Sequence, residues 1–355
     1  MRMDDLDYPL PPEFIATRPA EPRDSSRLMV VRAGGVQHRR FSDIAECLRA
    51  GDLLVVNQTR VLPAKLALRR KSGAAIAGLF LREIAPAQWE AMLRTRGKVN
   101  VGEKLLGADY QFELLSRQGE GVWRIAVTPP DPAPLVLQKI GHVPLPPYIE
   151  RRRKESGGAA EQSQDRAWYQ TVFARGAEKS VAAPTAGLHF TPELLAKLHS
   201  MGVRQVGVEL EVGMGTFLPV ETETLEEHPM HVERYHVPAE TAAELRAAKR
   251  DGRRIVVVGT TAVRTLEAAA SMILQPAGAP GDIAGETDLK IAPGYQFQLA
   301  DVLVTNFHLP RSTLMALVGA FLGEGGIEKL KCLYREAIDT RYRFYSYGDA
   351  MIVIP

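Results

Sequence analysis

The sequence predicts an α/β protein whose mostly parallel sheet is interrupted by an inserted small β-barrel. Three observations predict it. Apolar strand-like runs alternate with helical ones at both ends of the chain. From about residue 63 to 147 the texture changes to short β-favouring runs separated by glycine and proline. The chain of 355 residues also exceeds the roughly 250 to 300 residues at which single cores stop growing. The expected division is 1–62 with 148–355 for a discontinuous α/β unit that carries the chemistry, and 63–147 for the barrel.

Taken in order, residues 27–31 and 53–56 read as short buried strands, with a helical stretch at 44–49 and a Gly51-Asp52 turn between them. Runs at 76–81, 111–115 and 122–127 supply barrel strands. The prolines at 129, 130, 132, 134, 144, 146 and 147 suit a stiff domain exit better than a helix interior. Residues 157–164 read as a flexible surface loop. Helix 192–200, strand 203–210, helix 239–251 and strand 254–258 then restore the α/β alternation. Helix 262–274, strand 302–305, helices 312–322 and 327–341 and strand 351–354 continue it.

Composition excludes several classes. A formal net charge of +2, from 44 Lys+Arg against 42 Asp+Glu, does not by itself announce a nucleic-acid protein. A polyanion would have to be met by local runs: Arg69, Arg70 and Lys71; Arg151, Arg152, Arg153 and Lys154; Arg250, Arg253 and Arg254. Cys47 and Cys332 form no CxxC pattern, which argues against a zinc ribbon or disulfide framework and fits a reducing cytoplasm. Asp4, Asp5 and Asp7 stand where a signal peptide needs basic residues. No apolar run reaches the roughly 20 residues needed to span a bilayer, so a soluble, cytoplasmic protein is expected.

Four clusters carry polar groups at the ends of expected strands, where open α/β folds bind ligands. In the first, 182–192, Pro184 and Gly187 shape a loop beside Thr185, and His189 is placed to hydrogen-bond or exchange a proton. A lone loop histidine is more often structural. The second, 211–220, has Gly213 and Gly215 after a strand, followed by Thr216. Phe217 replaces the third glycine of a dinucleotide loop and Pro219 delays a helix, which weakens a methyltransferase reading. The third, 228–236, gathers His228, His231, His236 and Glu233. Pro229 breaks helical ligand spacing and no second cluster completes a zinc signature, so no metal is expected. The fourth runs from Gly259 through Thr260, Thr261 and Arg264 to Glu267. Its helix start favours an anion, with an Arg264 to Glu267 pair as the equal alternative.

Two carboxy-terminal runs complete the set. Asn306 and His308 sit at a strand end without the capping role of Ser312. Tyr342, Phe344, Tyr345 and Tyr347 precede Asp349, either to stack a purine or as ordinary core.

With the stretches at 51–61, 141–149 and 169–172, these clusters resemble the S-adenosylmethionine:tRNA ribosyltransferase-isomerase family over essentially the whole chain. The resemblance implies an α/β domain interrupted by a β-barrel. It also implies transfer of the ribosyl group of S-adenosylmethionine, a co-substrate here, to the aminomethyl group of 7-aminomethyl-7-deazaguanine (preQ1) in a tRNA anticodon. The product is epoxyqueuosine, with release of adenine and methionine. Such chemistry needs a base at the ribose methylene beside the sulfonium and an acid for departing adenine. His189 or His231 is the expected base, and Glu233 or Asp349 the acid or sulfonium partner. Arg264 and Thr260 are expected at the methionine carboxylate, and Asn306 and His308 at ribose or adenine. Thr185, Gly187, Gly213, Gly215, Thr216, Thr261 and Tyr347 are expected to line the site, and Arg69, Arg70, Lys71, Arg151, Arg152 and Arg153 to meet tRNA. The protein is expected to act as a monomer. Lys290 and Ala77 depart from the aromatic and the glutamate usual in the family. A tRNA-binding module built on the barrel is the non-enzymatic alternative.

Overall fold

A computed structural model describes residues 1–95, 97–119, 121–213, 222–275 and 281–355. Gly215 and Thr216 lie outside the described residues. The chain enters with a hairpin, β1 (Arg27–Arg32) and β2 (Gly35–Arg40), then a 3-10 helix at Phe41–Cys47 where an α-helix was expected at 44–49. β3 (Leu53–Asn57) is buried along its whole length, as a strand covered on both faces must be. Its successive side chains divide between two cores, Leu53 and Val55 on one face and Leu54 and Val56 on the other.

After the short β4 (Arg60–Val61) comes the barrel: β5 (Lys65–Arg70), β6 (Ala75–Ala85), β7 (Gln88–Arg94), β8 (Lys104–Gly107), β9 (Tyr110–Gly119) and β10 (Val122–Thr128). These strands pair antiparallel in the order β5-β6-β7-β10-β9-β8, and β8 closes back onto β5 with Arg69 opposite Leu106. Closure removes the sheet edges. Leu66, Leu68, Trp89, Phe112, Trp123 and Ile125 fill the interior.

The proline-rich exit is helical after all. α1 (Ala133–Ile140) has Pro132 at its N-cap and Pro134 in its first turn, and α2 (Pro147–Glu155) begins on a proline. Proline is tolerated there because those N–H groups have no helical acceptor. β11 (Gly141–His142), between them, adds to β5. α3 (Asp165–Trp168), β12 (Glu178–Ser180) and a 3-10 helix at Thr185–His189 lead back to the large sheet.

There the remaining elements are α4 (Pro192–Ser200), β13 (Arg204–Glu211), β14 (Glu233–Val237), α5 (Ala239–Arg250), β15 (Ile255–Val258) and α6 (Thr260–Ile273). β16 (Ile283–Thr287), β17 (Val302–Asn306), α7 (Thr313–Phe321), α8 (Gly326–Asp339) and β18 (Ala350–Ile354) finish the chain. The strand order is β16-β14-β13-β3-β15-β17-β18-β1-β2. β13, β3, β15 and β17 run parallel at the centre. β14, β16, β18 and β2 introduce antiparallel pairs towards the margins, so the sheet is mixed around a parallel core. α4 and the 3-10 helix at Phe41–Cys47 pack on one face, α5 to α8 on the other. Among the described residues no helix is long and apolar enough to cross a membrane.

Candidate active site at the carboxyl edge of the sheet

Because β13, β3, β15 and β17 are parallel, their carboxyl ends open on one edge, which carries Glu211, Asn57, Val258 and Asn306. The antiparallel β14 begins on the same edge at Glu233, and β18 and β1 begin there after residues 342–349 and 23–26. The chain leaving β3 returns through α4 on one face, whereas α5, which follows β14, and α6, which follows β15, lie on the other. A crevice follows from that divergence.

His189 sits in this crevice, buried, with its ring stacked on Phe41 at 4.9 Å between centroids. Asn306 fixes its tautomer. Thr185 Oγ1 donates to Asn306 Oδ1 at 3.0 Å, so the Asn306 amide nitrogen faces the Tyr345 carbonyl at 3.2 Å and His189 Nε2 at 3.1 Å, and donates to both. The imidazole lone pair is therefore on Nε2, and Nδ1–H donates to Ser26 Oγ at 2.9 Å. Both nitrogens are engaged, with Ser26 and with Asn306.

Burial first, and then the cations Arg343 and Arg23, lower its pKa to about 3 from the ordinary 6.5. Below pH 6.5 the unfolded chain takes up a proton that the folded chain refuses. The stabilisation from the neutral ring is thus complete above that pH and falls by about 1.4 kcal/mol per pH unit on acidification towards the folded value. We expect the His189 ring resonances to stay flat between about pH 8 and 5 while stability to urea declines on the acid side. A midpoint near the ordinary value would contradict this assignment.

His308 is half-buried and knitted into the core behind the edge. Its Nε2 lies 2.8 Å from Thr305 Oγ1, its backbone N–H donates to Tyr334 Oη at 2.9 Å, and its carbonyl accepts from Tyr8 Oη at 2.5 Å. Burial lowers its pKa to about 4.

α6 starts at Gly259, whose φ of +88° is a glycine conformation, and a Cβ there would lie 3.5 Å from Ala186 Cβ. The Thr185–His189 turn and the α6 start are therefore neighbours. Thr260 is buried at the first helical position, and no side chain caps the helix. Arg264 does not pair with Glu267. The Glu267 carboxylate instead accepts backbone N–H groups of Gln298, Leu299 and Ala300 at 2.8, 3.1 and 3.1 Å. Arg264 Nη1 donates to Glu233 Oε2, and its Nε donates to the Leu289 carbonyl at 3.1 Å. The other Glu233 oxygen accepts the Gly213 N–H at 3.2 Å. Arg264 Nη2 and Thr261 Oγ1 are buried without a hydrogen-bond partner among the described residues.

Several expected site residues are committed elsewhere. Asp349, 2% exposed, accepts the backbone N–H of Arg27 at 2.9 Å and of Arg343 at 2.7 Å. Tyr342, Phe344, Tyr345 and Tyr347 are all buried. Tyr347 packs edge-on against Tyr169 at 5.9 Å, with its hydroxyl unpartnered. Gly187 is held close to Thr171 and Phe173, which a Cβ would approach to 3.1 and 3.2 Å. His231 is exposed, two residues before Glu233.

Of the basic runs, Arg69, Lys71 and Arg151 are exposed, while Arg70 pairs with Glu103 and Arg152 with Glu155. Arg153 is withdrawn from any surface, 2% exposed and bidentate to Asp165 at 2.7 Å on both arms. Lys290 Nζ donates to the Leu225 and Glu226 carbonyls at 2.7 and 2.9 Å, a role an aromatic could not fill. Ala77 lines a cavity of about 180 Å³ with Lys65, Met92, Arg94 and Leu145. Ser26 and Arg23, which binds the Gln170 and Ala167 carbonyls, were not legible as site neighbours, because each meets the edge through contacts more than a hundred residues away. Among the described residues no group of three His, Cys, Asp or Glu is arranged to hold a metal ion.

A family model described as queuosine biosynthesis protein matches residues 3–353. The S-adenosylmethionine:tRNA ribosyltransferase-isomerase of Thermotoga maritima is 46% identical over 356 residues, covering 100% of both chains. That of Azorhizobium caulinodans is 46% identical over 99% of each. A crystal structure of S-adenosylmethionine tRNA ribosyltransferase from Thermotoga maritima superposes with a TM-score of 0.54 and 37% identity, covering 99% of this chain and 100% of that one.

Proposed function

The chain belongs to the queuosine biosynthesis protein family, as an enzyme that combines transferase and isomerase activity, and on that premise we propose that it moves and isomerises the ribosyl group of S-adenosylmethionine onto the aminomethyl group of preQ1 in a tRNA anticodon. Epoxyqueuosine-tRNA, adenine and methionine are the products. The observation that carries this reading is the convergence of the 185–189 turn, the start of α6 and the end of β17 on one carboxyl edge, in a chain related to named ribosyltransferase-isomerases along its whole length.

On this reading Arg264, Thr260 and Thr261 bind the methionine end, next to Gly213; Gly215 and Thr216, expected in the site from the sequence, lie outside the described residues. Thr185, Gly187, Asn306, His308 and Tyr347 form the wall against the nucleoside. His189 holds Asn306 and Ser26 in place, which leaves the exposed His231 as the base for the ribose methylene proton. Residues 63–147 serve as the inserted barrel unit, and 1–62 with 148–355 as the catalytic unit. Arg69, Lys71 and Arg151, exposed in two basic runs, meet the tRNA backbone. A cytoplasmic monomer fits the two free cysteines, one buried and one exposed.

Purified protein incubated with S-adenosylmethionine and preQ1-containing tRNA is expected to release adenine and methionine in equal amounts and to leave epoxyqueuosine in digested tRNA. S-adenosylhomocysteine in their place would show methyl transfer. Binding of tRNA without turnover would reduce the protein to a binding module.

A further inference from the structure

We propose that Glu233 and Arg264 form a preassembled receptor for an α-amino-acid zwitterion, with Glu233 taking the α-ammonium group and Arg264 Nη2, beside Thr261 Oγ1 and the α6 N-terminus, taking the carboxylate. This rests on S-adenosylmethionine being the co-substrate, and adds which charges of its methionine end are read and by which atoms.

Arg264 is 8% exposed and Glu233 7% exposed, so neither charge is solvated like a surface residue. A buried ion pair gives little net stability against its desolvation cost. Here it also leaves unused capacity on both sides. Arginine has five donor hydrogens; Arg264 directs Nε to Leu289 and Nη1 to Glu233, while Nη2 is buried and has no hydrogen-bond partner among the described residues. Each Glu233 oxygen accepts one hydrogen bond, from Gly213 or from Arg264, and retains a lone pair. A ligand can therefore be taken up without opening the pair.

The second orphan lies on the same face. Thr261 and Arg264 are three residues apart on α6, and a helical side chain leans back towards the N-terminus, so Arg264 reaches towards the turn that carries Thr261. Thr261 Oγ1 is likewise buried and unpartnered. No side chain caps α6, so its first turn also presents backbone N–H groups and the positive end of the helix dipole.

Charge selects the ligand. A simple anion drawn to Arg264 would lie against the Glu233 carboxylate, and a simple cation would lie against the guanidinium. A zwitterion with its two charged groups on one carbon satisfies both and keeps the site neutral. The methionine end of S-adenosylmethionine has that arrangement, and 5′-methylthioadenosine lacks it.

The test is equilibrium binding by calorimetry, using S-adenosylmethionine and its desamino and decarboxylated forms. The wild-type protein is expected to bind either truncated form on the order of 10- to 100-fold more weakly, as for loss of a charge-assisted hydrogen bond. E233Q is expected to weaken S-adenosylmethionine by a similar factor while no longer distinguishing it from the desamino form. R264K, which keeps the charge without the planar fork, is expected to lose discrimination against the decarboxylated form. The ligand series on wild-type protein needs no variant to fold. Binding of S-adenosylmethionine with equal affinity for the truncated forms would overturn the receptor and leave the function standing. No binding of S-adenosylmethionine would overturn the functional reading itself.

Discussion

Arg153→Ala is expected to destabilise the protein by about 3 to 5 kcal/mol, the range for removing one partner of a buried, hydrogen-bonded ion pair. Its guanidinium is fully used. Both arms reach Asp165 at 2.7 Å, Nε and Nη2 reach the Thr17 carbonyl at 3.2 and 2.8 Å, and Nη1 reaches the Ala160 carbonyl at 3.2 Å. Truncation would strand the Asp165 carboxylate, 4% exposed, with only the Gln162 N–H at 2.8 Å to answer it. It would also release the segment around Thr17 from α2. Urea unfolding measures the loss. Arg151→Ala, two residues earlier and exposed, is the control, with a stability change within about 0.5 kcal/mol. The two variants should separate on tRNA as well, with Arg151→Ala lowering the salt dependence of binding by about one counterion. Equal stability of both variants, with equal loss of tRNA affinity, would return Arg153 to the nucleic-acid surface.

Asp349→Ala is expected to cost about 2 to 4 kcal/mol, because it leaves two partly buried backbone donors, Arg27 N–H and Arg343 N–H, without their charged acceptor. The carboxylate joins the start of β1 to the turn that enters β18, two strands paired in parallel. That turn is tight. Arg341 and Tyr345 have φ of 61° and 70°, and a Cβ on Gly348 would fall 2.5 Å from the Arg343 carbonyl oxygen. The Tyr345 carbonyl in turn accepts from Asn306, so a loosened turn should also disturb the His189 network. The expected signature is a lowered unfolding midpoint, with turnover falling in step with the folded fraction. Asp349→Asn separates this from proton transfer, since it keeps the shape and one carbonyl oxygen. An unchanged midpoint with abolished turnover in that variant would make Asp349 the catalytic acid after all.

Much of the fold was legible because the signals are local. β3 and β15 are unbroken apolar runs, which only a strand covered on both faces can bury. α4 lies at 192–200, where proline in the first turn and the Thr191 cap mark its start; the Thr191 hydroxyl accepts the Leu194 N–H at 3.2 Å. The barrel appeared as a change of texture to short β-favouring runs separated by glycine and proline. The exit helices were missed because proline was weighed by number and not by position, and in both helices it falls in the first turn, where it breaks no hydrogen bond.

The site was legible as a list of motifs and not as an arrangement. Sequence alone placed Thr260 and Asn306 at helix and strand boundaries, Thr185 in a loop and Glu233 in a histidine cluster, and it did not foresee that β14 begins at Glu233. Which polar groups remain free there was decided by partners distant in the chain. Ser26 and Asn306, 163 and 117 residues from His189, occupy its two nitrogens. Three backbone N–H groups at 298–300 claim Glu267 and leave Arg264 to Glu233, 31 residues away, although helical spacing favoured the nearer carboxylate. Periodicity describes a chain's neighbours three or four residues off. A buried polar group must be satisfied by whatever the fold brings within 3 Å, so the sequence determined the elements and their edge, and the tertiary structure alone decided which side chains are occupied and which are left for a ligand.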